Sequence, residues 1–329
     1  MSDNAVKTVS ATKPRRRKKV THEWYGYLFI LPFFLVYLGF QVYPLINTFR
    51  WSLLNYVDRY GNVTITFNGL KGFADVLGIT AGEKAYFFKY LLNTVIMWIG
   101  GFIPQIIISL LIAAWLTNTI VKVRGQGAIK ILTYMPNIIT AASISVLFAS
   151  LFAQYGPVTA LLKKMGVIAQ DYNFLDSIAG TRGLISFILF WMWYGNTTLL
   201  LIAGMLGINP SLYEAASIDG ANGGQRFFRV TLPLLKPILL FTLVTSAVGG
   251  LQMYDIPSLF NVVGSSYVGN PADSTTTVTM YIMRLYNSKN YGKASVVSVL
   301  LFIVTLIVSL ILFKVMGNSD KTKKKRARA

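Results

Sequence analysis

The sequence contains no cysteine, a single histidine and only 12 acidic residues among 329. The absence of cysteine excludes disulfides, thiol nucleophiles and cysteine metal sites. A membrane-embedded hydrolase would need paired acids, a histidine cluster or an activated nucleophile, and the sequence shows none of these. The one histidine, His22, lies outside the first long apolar segment. We therefore expect neither a catalytic residue nor a metal site in this chain.

Charged residues of both signs are scarce, whereas long apolar runs are abundant. Charged residues make up 13% of the chain and hydrophobic residues 54%, with a mean hydropathy of +0.54, against about 25% charged in a soluble domain. A bilayer core roughly 30 Å thick needs about 20 apolar helical residues. Six segments reach that length without the alternation of barrel strands: approximately 25–48, 90–116, 129–152, 184–206, 234–254 and 294–315. The sequence predicts an all-α, polytopic membrane protein with six transmembrane helices.

The net charge of +19 is explained by topology better than by nucleic-acid binding. If the N-terminus is cytoplasmic, 20 of the 31 lysines and arginines fall on the inner side and 11 on the outer side. Basic residues that flank membrane helices are retained in the cytoplasm, so both termini should face it. The run Arg15–Lys19 precedes an apolar stretch too long for a cleaved signal. The two basic tails are expected to lie against anionic lipid.

The predicted organisation is linear. Residues 1–24 and 317–329 form basic cytoplasmic tails, 25–49 the first transmembrane helix, 50–88 an extracytoplasmic loop, and 89–316 a five-helix core. Within the loop, the alternating run Thr64–Phe67 predicts a short strand. Pro104 and Pro136 lie in predicted helix interiors, where proline removes a hydrogen bond and tends to kink the helix. A second outer connection has a Gly/Ser/Asn/Pro-rich centre at Gly264–Pro271.

A polar stretch between the fourth and fifth apolar segments is the most informative part of the chain. Asn209-Pro210-Ser211 offers a helix start, with Ser211 as the predicted N-cap and Glu214 completing a capping box. Small residues follow, and Gly220 is expected to end or bend the helix. Such a helix has a narrow face that can enter a groove on another protein.

Residues 214–233 resemble the cytoplasmic loop of importer-type ABC transporter permeases, in particular the maltose and multiple-sugar branch. The family pattern is Glu-Ala-Ala, three residues, Gly, and a later Leu-Pro, and this chain matches it without gaps at Glu214, Ala215, Ala216, Gly220, Ala221, Phe227, Leu232 and Pro233. The resemblance to the sugar branch rests on Asp219, Gln225 and the continuation 234–237. Weaker similarity at Tyr43-Pro44 and at 92–94 extends the resemblance over most of the chain. The resemblance implies a type I ABC importer permease with a coupling loop at 209–233. In that family the loop docks in a cleft of the ATP-binding subunit, so Glu214, Ala215, Ala216, Asp219, Gly220 and Ala221 are the expected coupling residues.

The expected cofactors and partners follow from this resemblance and from a missing motif. No Gly-x-x-x-x-Gly-Lys-Ser/Thr sequence occurs, and the nearest string, 78–84, has the wrong spacing. We therefore expect no cofactor in this chain, with ATP and Mg on a partner subunit. The family assembly implies a second homologous permease, two ATP-binding subunits and an extracytoplasmic solute-binding protein, in a bacterial or archaeal cell membrane.

The solute is expected to be neutral, because the predicted spans carry no ionisable residue away from their ends. Sugars are held by aromatic faces, amides and hydroxyls, and the resemblance assigns a solute path to residues on two helices: Trp193, Asn196, Ser246, Gly250 and Met253. Helix packing by small residues is the competing interpretation for each of them. A glycerol-phosphate or polyol importer and an ion-coupled secondary carrier remain alternative functions.

The topology can be tested with single cysteines, since the chain has none of its own. A cysteine at Ser319 should resist an impermeant thiol reagent in intact cells, because the C-terminus is predicted to be cytoplasmic. A cysteine at Asn270 should react from outside. The reverse labelling pattern would overturn the assigned orientation.

Overall fold

The computed structural model describes residues 23–59, 61–118, 124–260 and 269–326, and these are mostly helical. The predicted basic tail up to residue 22, including His22, and residues 264–268 of the Gly/Ser-rich centre lie outside the described residues. The chain divides into two compact units, Met1–Asn47 and Thr48–Ala329.

The first unit contains α1 (Glu23–Tyr37), a π-helical stretch (Leu38–Val42) and the beginning of α2 (Tyr43–Ser52), which continues into the second unit. The helical run Trp24–Ser52 is 29 residues long and apolar enough to cross a membrane, and none of its most apolar window is buried. Phe29 and Phe40 are each more than 80% exposed. An apolar helix with this much exposed surface suits a lipid environment.

The second unit contains three more long apolar helices, α4 (Tyr86–Leu116), α8 (Ile178–Leu206) and α15 (Tyr291–Arg326), the last of which is apolar as far as Val315. Two bent helix pairs could each make a further span, so the chain has four to six candidate spans. All six predicted apolar segments are helical. The third, however, is broken rather than continuous, and a bend at Leu235 lies at the start of the fifth.

The third segment breaks between α5 (Gln126–Ile138) and α6 (Ala141–Leu151), whose axes differ by 87°. Pro136 lies in the last turn of α5, and Ile139 is extended, with φ −76° and ψ 138°. The Thr140 hydroxyl accepts a hydrogen bond from the Ser143 N–H at 3.2 Å and caps α6. The kink predicted at Pro136 is thus a complete break, whereas α4 continues through Pro104.

The second bend lies at Leu235, where the fifth segment begins. The helical run Gly223–Leu234 meets α12 (Lys236–Leu251) at 65°. Pro237 lies in the first turn of α12, where its missing N–H needs no partner within the helix.

Helices α4 and α8 form the centre of the bundle and approach each other closely. A Cβ atom added to Gly101 would lie 3.0 Å from Leu189 Cβ, so only glycine fits there without displacement. Buried polar pairs join the same helices: Gln105 Nε2 donates to Thr197 Oγ1 at 2.7 Å, and Ser109 Oγ donates to the Tyr194 carbonyl at 2.8 Å. Lipid offers no competing partners, so these bonds help to fix the register of the two helices.

The segment after α2 contains a β-hairpin within a fold that is otherwise mostly helical. Strands β1 (Leu54–Arg59) and β2 (Asn62–Phe67) are antiparallel, with Leu54 opposite Phe67. The predicted strand at Thr64–Phe67 is confirmed as part of β2. The short helix α3 (Lys71–Val76) follows.

An ion pair ties the hairpin to the segment before α15. Lys289 Nζ donates to Asp58 Oδ2 at 3.1 Å. This hydrogen bond lowers the pKa of the Asp58 carboxyl from its ordinary value.

Further short helices lie between the long ones, among them α7 (Pro157–Lys164), α13 (Asp255–Phe260) and α14 (Val278–Asn287). The loop before α14 is buried and held by side chains of α4 and α8. Asn93 Nδ2 donates to the carbonyls of Asp273 and Thr276, at 2.8 and 3.1 Å. Arg182 Nη2 donates to Asn93 Oδ1 at 2.6 Å, and Arg182 Nε donates to the Ser274 carbonyl at 3.0 Å. A single buried amide therefore joins two helices and a loop.

This arrangement predicts a large effect of Asn93→Ala. The substitution removes the partner of two loop carbonyls and of one guanidinium nitrogen, and each buried polar group left unpaired costs about 1–3 kcal/mol. We expect a lower melting temperature of the purified protein and faster proteolysis within 269–277. Asn62→Ala, at an exposed position of β2, is the control and should leave both unchanged. Equal melting of the two variants would show that the amide does not hold the loop.

Candidate functional site

The predicted coupling loop folds as two short helices that pack on each other. The first, α9, spans Pro210–Ile218. Its N-cap is Asn209, whose side-chain oxygen accepts from the Ser211 N–H at 3.1 Å, and Pro210 occupies the first helical position. The prediction of Ser211 as the cap was wrong by two residues. Glu214 consequently lies in the second turn rather than completing a capping box.

Gly220 terminates α9, as predicted. Its φ of +76° is in the left-handed region that favours glycine. The Gly220 N–H donates to the Ser217 carbonyl at 3.1 Å, and the Ala221 N–H donates to the Ala216 carbonyl at 2.9 Å. These two bonds form a Schellman motif and satisfy carbonyls at the end of the helix.

The second helix starts directly afterwards at Asn222. The Asn222 side-chain oxygen accepts a hydrogen bond from the Gln225 N–H at 2.8 Å, and the Gln225 side-chain oxygen accepts one from the Asn222 N–H at 2.9 Å. This capping box begins α10 (Gly223–Arg226), which continues through a π-helical stretch (Phe227–Thr231) into α11 (Leu232–Leu234). The whole segment from Asn209 to Leu234 forms a helical hairpin, which we call the coupling hairpin.

Two side-chain hydrogen bonds hold the two arms of the coupling hairpin together. The hydroxyls of Tyr213 and Thr231 are 3.0 Å apart, and Arg226 Nη1 donates to Ser217 Oγ at 3.1 Å. A movement imposed on α9 would therefore be carried to the helix that leads into α12. Arg226 thus has a contact inside the chain, on the first arm of the hairpin.

The predicted coupling residues lie together on this hairpin. Glu214, Ala215, Asp219 and Gly220 are exposed, whereas Ala216 and Ala221 are half-buried. Large apolar side chains beside them are also exposed: Ile218 is 87% exposed, and Leu212 and Phe228 are 45% and 67% exposed. Neither Leu212 nor Phe228 was among the predicted coupling residues. Their signal in the sequence is that large apolar side chains occur in a segment rich in polar and small residues.

The predicted solute-path residues fall into two groups. Trp193 and Asn196 lie on an exposed face of α8. Ser246 and Gly250 of α12 face Trp98 of α4, since Trp98 Nε1 donates to Ser246 Oγ at 3.0 Å and a Cβ on Gly250 would lie 2.1 Å from the indole ring. No hydrogen bond among the described residues joins Asn196 to Ser246.

Met253 is buried in a hydrophobic cluster that also contains Met97 and Met192. Its carbonyl accepts from Thr277 Oγ1 at 2.9 Å, which attaches the end of α12 to the start of α14. Tyr254, the next residue, lines a cavity of about 670 Å³ together with Ser258, Asp273 and Arg284.

Ionisable clusters are rare in the part of the chain that the structure describes. Within residues 23–59, 61–118, 124–260 and 269–326, no group of three His, Asp or Glu side chains could hold a metal ion. The three ion pairs given by those residues join Asp273 to Arg284, Asp58 to Lys289 and Glu83 to Lys293. All of these lie in segments predicted to be extracytoplasmic.

The fold and the coupling hairpin can now be compared with known proteins. The lactose transport system permease protein LacF of Rhizobium radiobacter is 30% identical over 305 residues, covering 92% of this chain and 97% of that protein. The arabinooligosaccharides transport system permease protein AraP of Bacillus subtilis is 31% identical, covering 89% and 88% respectively.

A solved structure shares the fold. A chain of a bacterial ABC transporter involved in the import of the acidic polysaccharide alginate superposes with a TM-score of 0.72 at 21% identity, covering 90% of this chain and 96% of that one. Residues 74–323 match the model of one family across most of the second unit. The chain belongs to the family of binding-protein-dependent transport system inner membrane components.

Proposed function

We propose that this chain is one of two membrane-spanning permease subunits of an ATP-driven importer for a neutral sugar or oligosaccharide. The observation that carries the proposal is the coupling hairpin, which presents Glu214, Ala215, Asp219 and Gly220 on its surface. Its two arms are hydrogen-bonded to each other and continue into α12. A protein that closes on α9 could thereby move a membrane helix.

The rest of the machine is supplied by other chains in this proposal. Two ATP-binding subunits bind ATP and Mg, because this sequence has no phosphate-binding loop. An extracytoplasmic binding protein delivers the solute, and a second permease completes the path. The chain crosses a bacterial or archaeal cell membrane six times, with α5 and α6 together counted as one span, α12 as another, and both termini in the cytoplasm.

The solute class rests on relatives and on side-chain chemistry. The named relatives carry lactose and arabinooligosaccharides according to their descriptions. The residues assigned to the path are aromatic, amide, hydroxyl or apolar and carry no charge. A strongly anionic solute in a low-dielectric path would need cationic partners. A neutral polyol is consistent with the same observations, whereas glycerol phosphate is less so, and an ion-coupled carrier would not require the coupling hairpin.

The docking role of the coupling hairpin predicts a graded series at Gly220. Alanine at a left-handed position costs roughly 1–2 kcal/mol, and asparagine, which tolerates that conformation, costs less. A Cβ there meets no heavy atom of this chain within 4 Å. A larger side chain at Gly220 would therefore obstruct the partner subunit rather than this chain. Gly220→Leu should leave membrane insertion intact but reduce ATPase copurification and uptake more than Gly220→Ala does. Gly220→Asn should have the smallest effect.

Gly125→Leu is a matched control, because Gly125 also has a left-handed φ of +75°, its added Cβ also meets no atom within 4 Å, and it lies outside the hairpin. Full uptake and full ATPase copurification of Gly220→Leu would refute the docking assignment.

The solute path predicts different results for two polar residues. Asn196 is exposed on α8, so Asn196→Ala should weaken the apparent sugar affinity by a few-fold, as expected for one lost hydrogen bond of about 0.5–1.5 kcal/mol. Ser246 accepts from Trp98, so Ser246→Ala should also lower the melting temperature. Uptake against sugar concentration in proteoliposomes, measured beside thermal melting, separates the two effects. If neither variant changed the sugar dependence, the path would lie on another face, and Gln252 and Tyr254 would be examined next.

A further inference from the structure

A groove between α4 and α8 has the features of a binding site that the transport function does not use. It encloses about 560 Å³, within the range of about 300–1,000 Å³ that is usual for ligand pockets. Its lining is apolar except at one end, with Ile96, Gly100 and Pro104 on α4 and Ala179, Gly183, Ser186, Phe187 and Phe190 on α8. Arg182 completes the lining.

The groove is separate from the predicted solute path. Trp98, which contacts Ser246 and Gly250, is not among the lining residues, and neither is Trp193 nor Asn196. Ser186 Oγ donates to the Met97 carbonyl, so its hydroxyl is already bonded inside the protein. The interior of the groove therefore offers mainly hydrocarbon contacts.

The length of the groove matches one leaflet of a bilayer. On α8 it extends from Ala179 to Phe190, and on α4 from Ile96 to Pro104. At 1.5 Å per residue these stretches rise about 16 Å and about 12 Å, and half of the hydrocarbon core is about 15 Å thick. Arg182 lies about one turn after the beginning of α8 at Ile178, near the level where that helix leaves the core. The preceding α7 ends with Lys163 and Lys164 beside the exposed Leu161, as in helices that lie at a membrane interface.

The charge of Arg182 is uncompensated within the described chain. Its Nε and Nη2 atoms donate to a carbonyl and to an amide oxygen, both of which are neutral. The ion pairs of the described residues do not include it, and Nη1 has no hydrogen-bond partner among those residues. A half-buried guanidinium in this state favours an anionic oxygen, and phosphate accepts hydrogen bonds from arginine well.

We propose that this groove binds a phospholipid of the outer leaflet, with an acyl chain along the apolar lining and the phosphate at Arg182. A phospholipid is complementary to this groove in two respects. Its acyl chain matches the apolar lining along one leaflet, and its phosphate matches the Arg182 guanidinium, which has only neutral partners. A helix of another subunit would bury the same apolar surface, but it would need a carboxylate at the level of Arg182. The bound lipid would fill the gap between two helices that must move against their neighbours.

The test uses the assembled importer with all its subunits, reconstituted in dioleoylphosphatidylcholine vesicles. Two probes with the same diazirine-bearing acyl chain are compared, one a phosphatidylcholine and the other a diacylglycerol without phosphate. After illumination, peptide mass spectrometry locates the adducts. We expect phosphatidylcholine adducts on Phe187 and Phe190 at several-fold higher yield than on the exposed α15 residues Ile303 and Leu306. The diacylglycerol should label the groove several-fold less.

Two variants separate the acyl-chain and phosphate contacts. Gly183→Phe fills the groove at a position where an added Cβ meets no heavy atom within 4 Å, so the fold should tolerate it. It should reduce groove labelling several-fold, whereas Leu306→Phe, at an exposed position of α15, should not. Arg182→Gln should abolish the preference for the phosphate-bearing probe, and Arg182→Lys should retain part of it.

Each alternative outcome would overturn the proposal. Absence of groove adducts in the assembled complex would mean that a helix of another subunit covers this surface. Equal labelling of the groove and α15, or unchanged labelling in Gly183→Phe, would show that no lipid is held there. Equal labelling by the two probes would refute recognition of phosphate by Arg182. If Arg182→Gln fails to assemble, the probe comparison and Gly183→Phe still decide the result.

Discussion

The structure depends on one constraint, which is that lipid offers no hydrogen-bond partner to the backbone. Continuous helices satisfy it by themselves, as α4 and α8 do. At two irregular places in the described residues, a side chain takes over the pairing. Thr140 caps α6 after the break in the third apolar segment, and Asn93 pairs with two carbonyls of the loop that precedes α14. These polar residues are few, but each pairs backbone groups that the regular helices leave without a partner.

The sequence could predict features that depend on length and local backbone chemistry. Runs of about 20 apolar residues located all six helical segments, the alternation at Thr64–Phe67 located a strand, and Gly220 marked the end of α9. The angle of a break is set by packing, so the 87° between α5 and α6 could not be obtained from Pro136 alone. The N-cap at Asn209 was missed although a signal existed, because proline is favoured at the first helical position and Pro210 therefore places the cap one residue earlier.

The solute path shows a different limit of the sequence. Helical spacing shows which residues share a face, but not what covers that face. Trp98, far away in the sequence, covers Ser246 and Gly250, whereas Trp193 and Asn196 stay open to the surroundings of a single subunit. A path bounded by a second permease would explain why polar and aromatic side chains remain uncovered on α8. Neither the choice of covering residue nor the contribution of a partner is encoded in the periodicity of one helix.

The end caps of the coupling hairpin also bear on how the chain is made. The Schellman motif at Gly220 and the capping box at Asn222 need only residues within five positions of each other. Contacts this local form in about a microsecond to some microseconds, far faster than a ribosome adds residues at about 5–20 per second. The hairpin should therefore be complete when the fifth apolar segment emerges for insertion. A prefolded polar element at this point would resist translocation and so help to keep the loop on the cytoplasmic side during biogenesis.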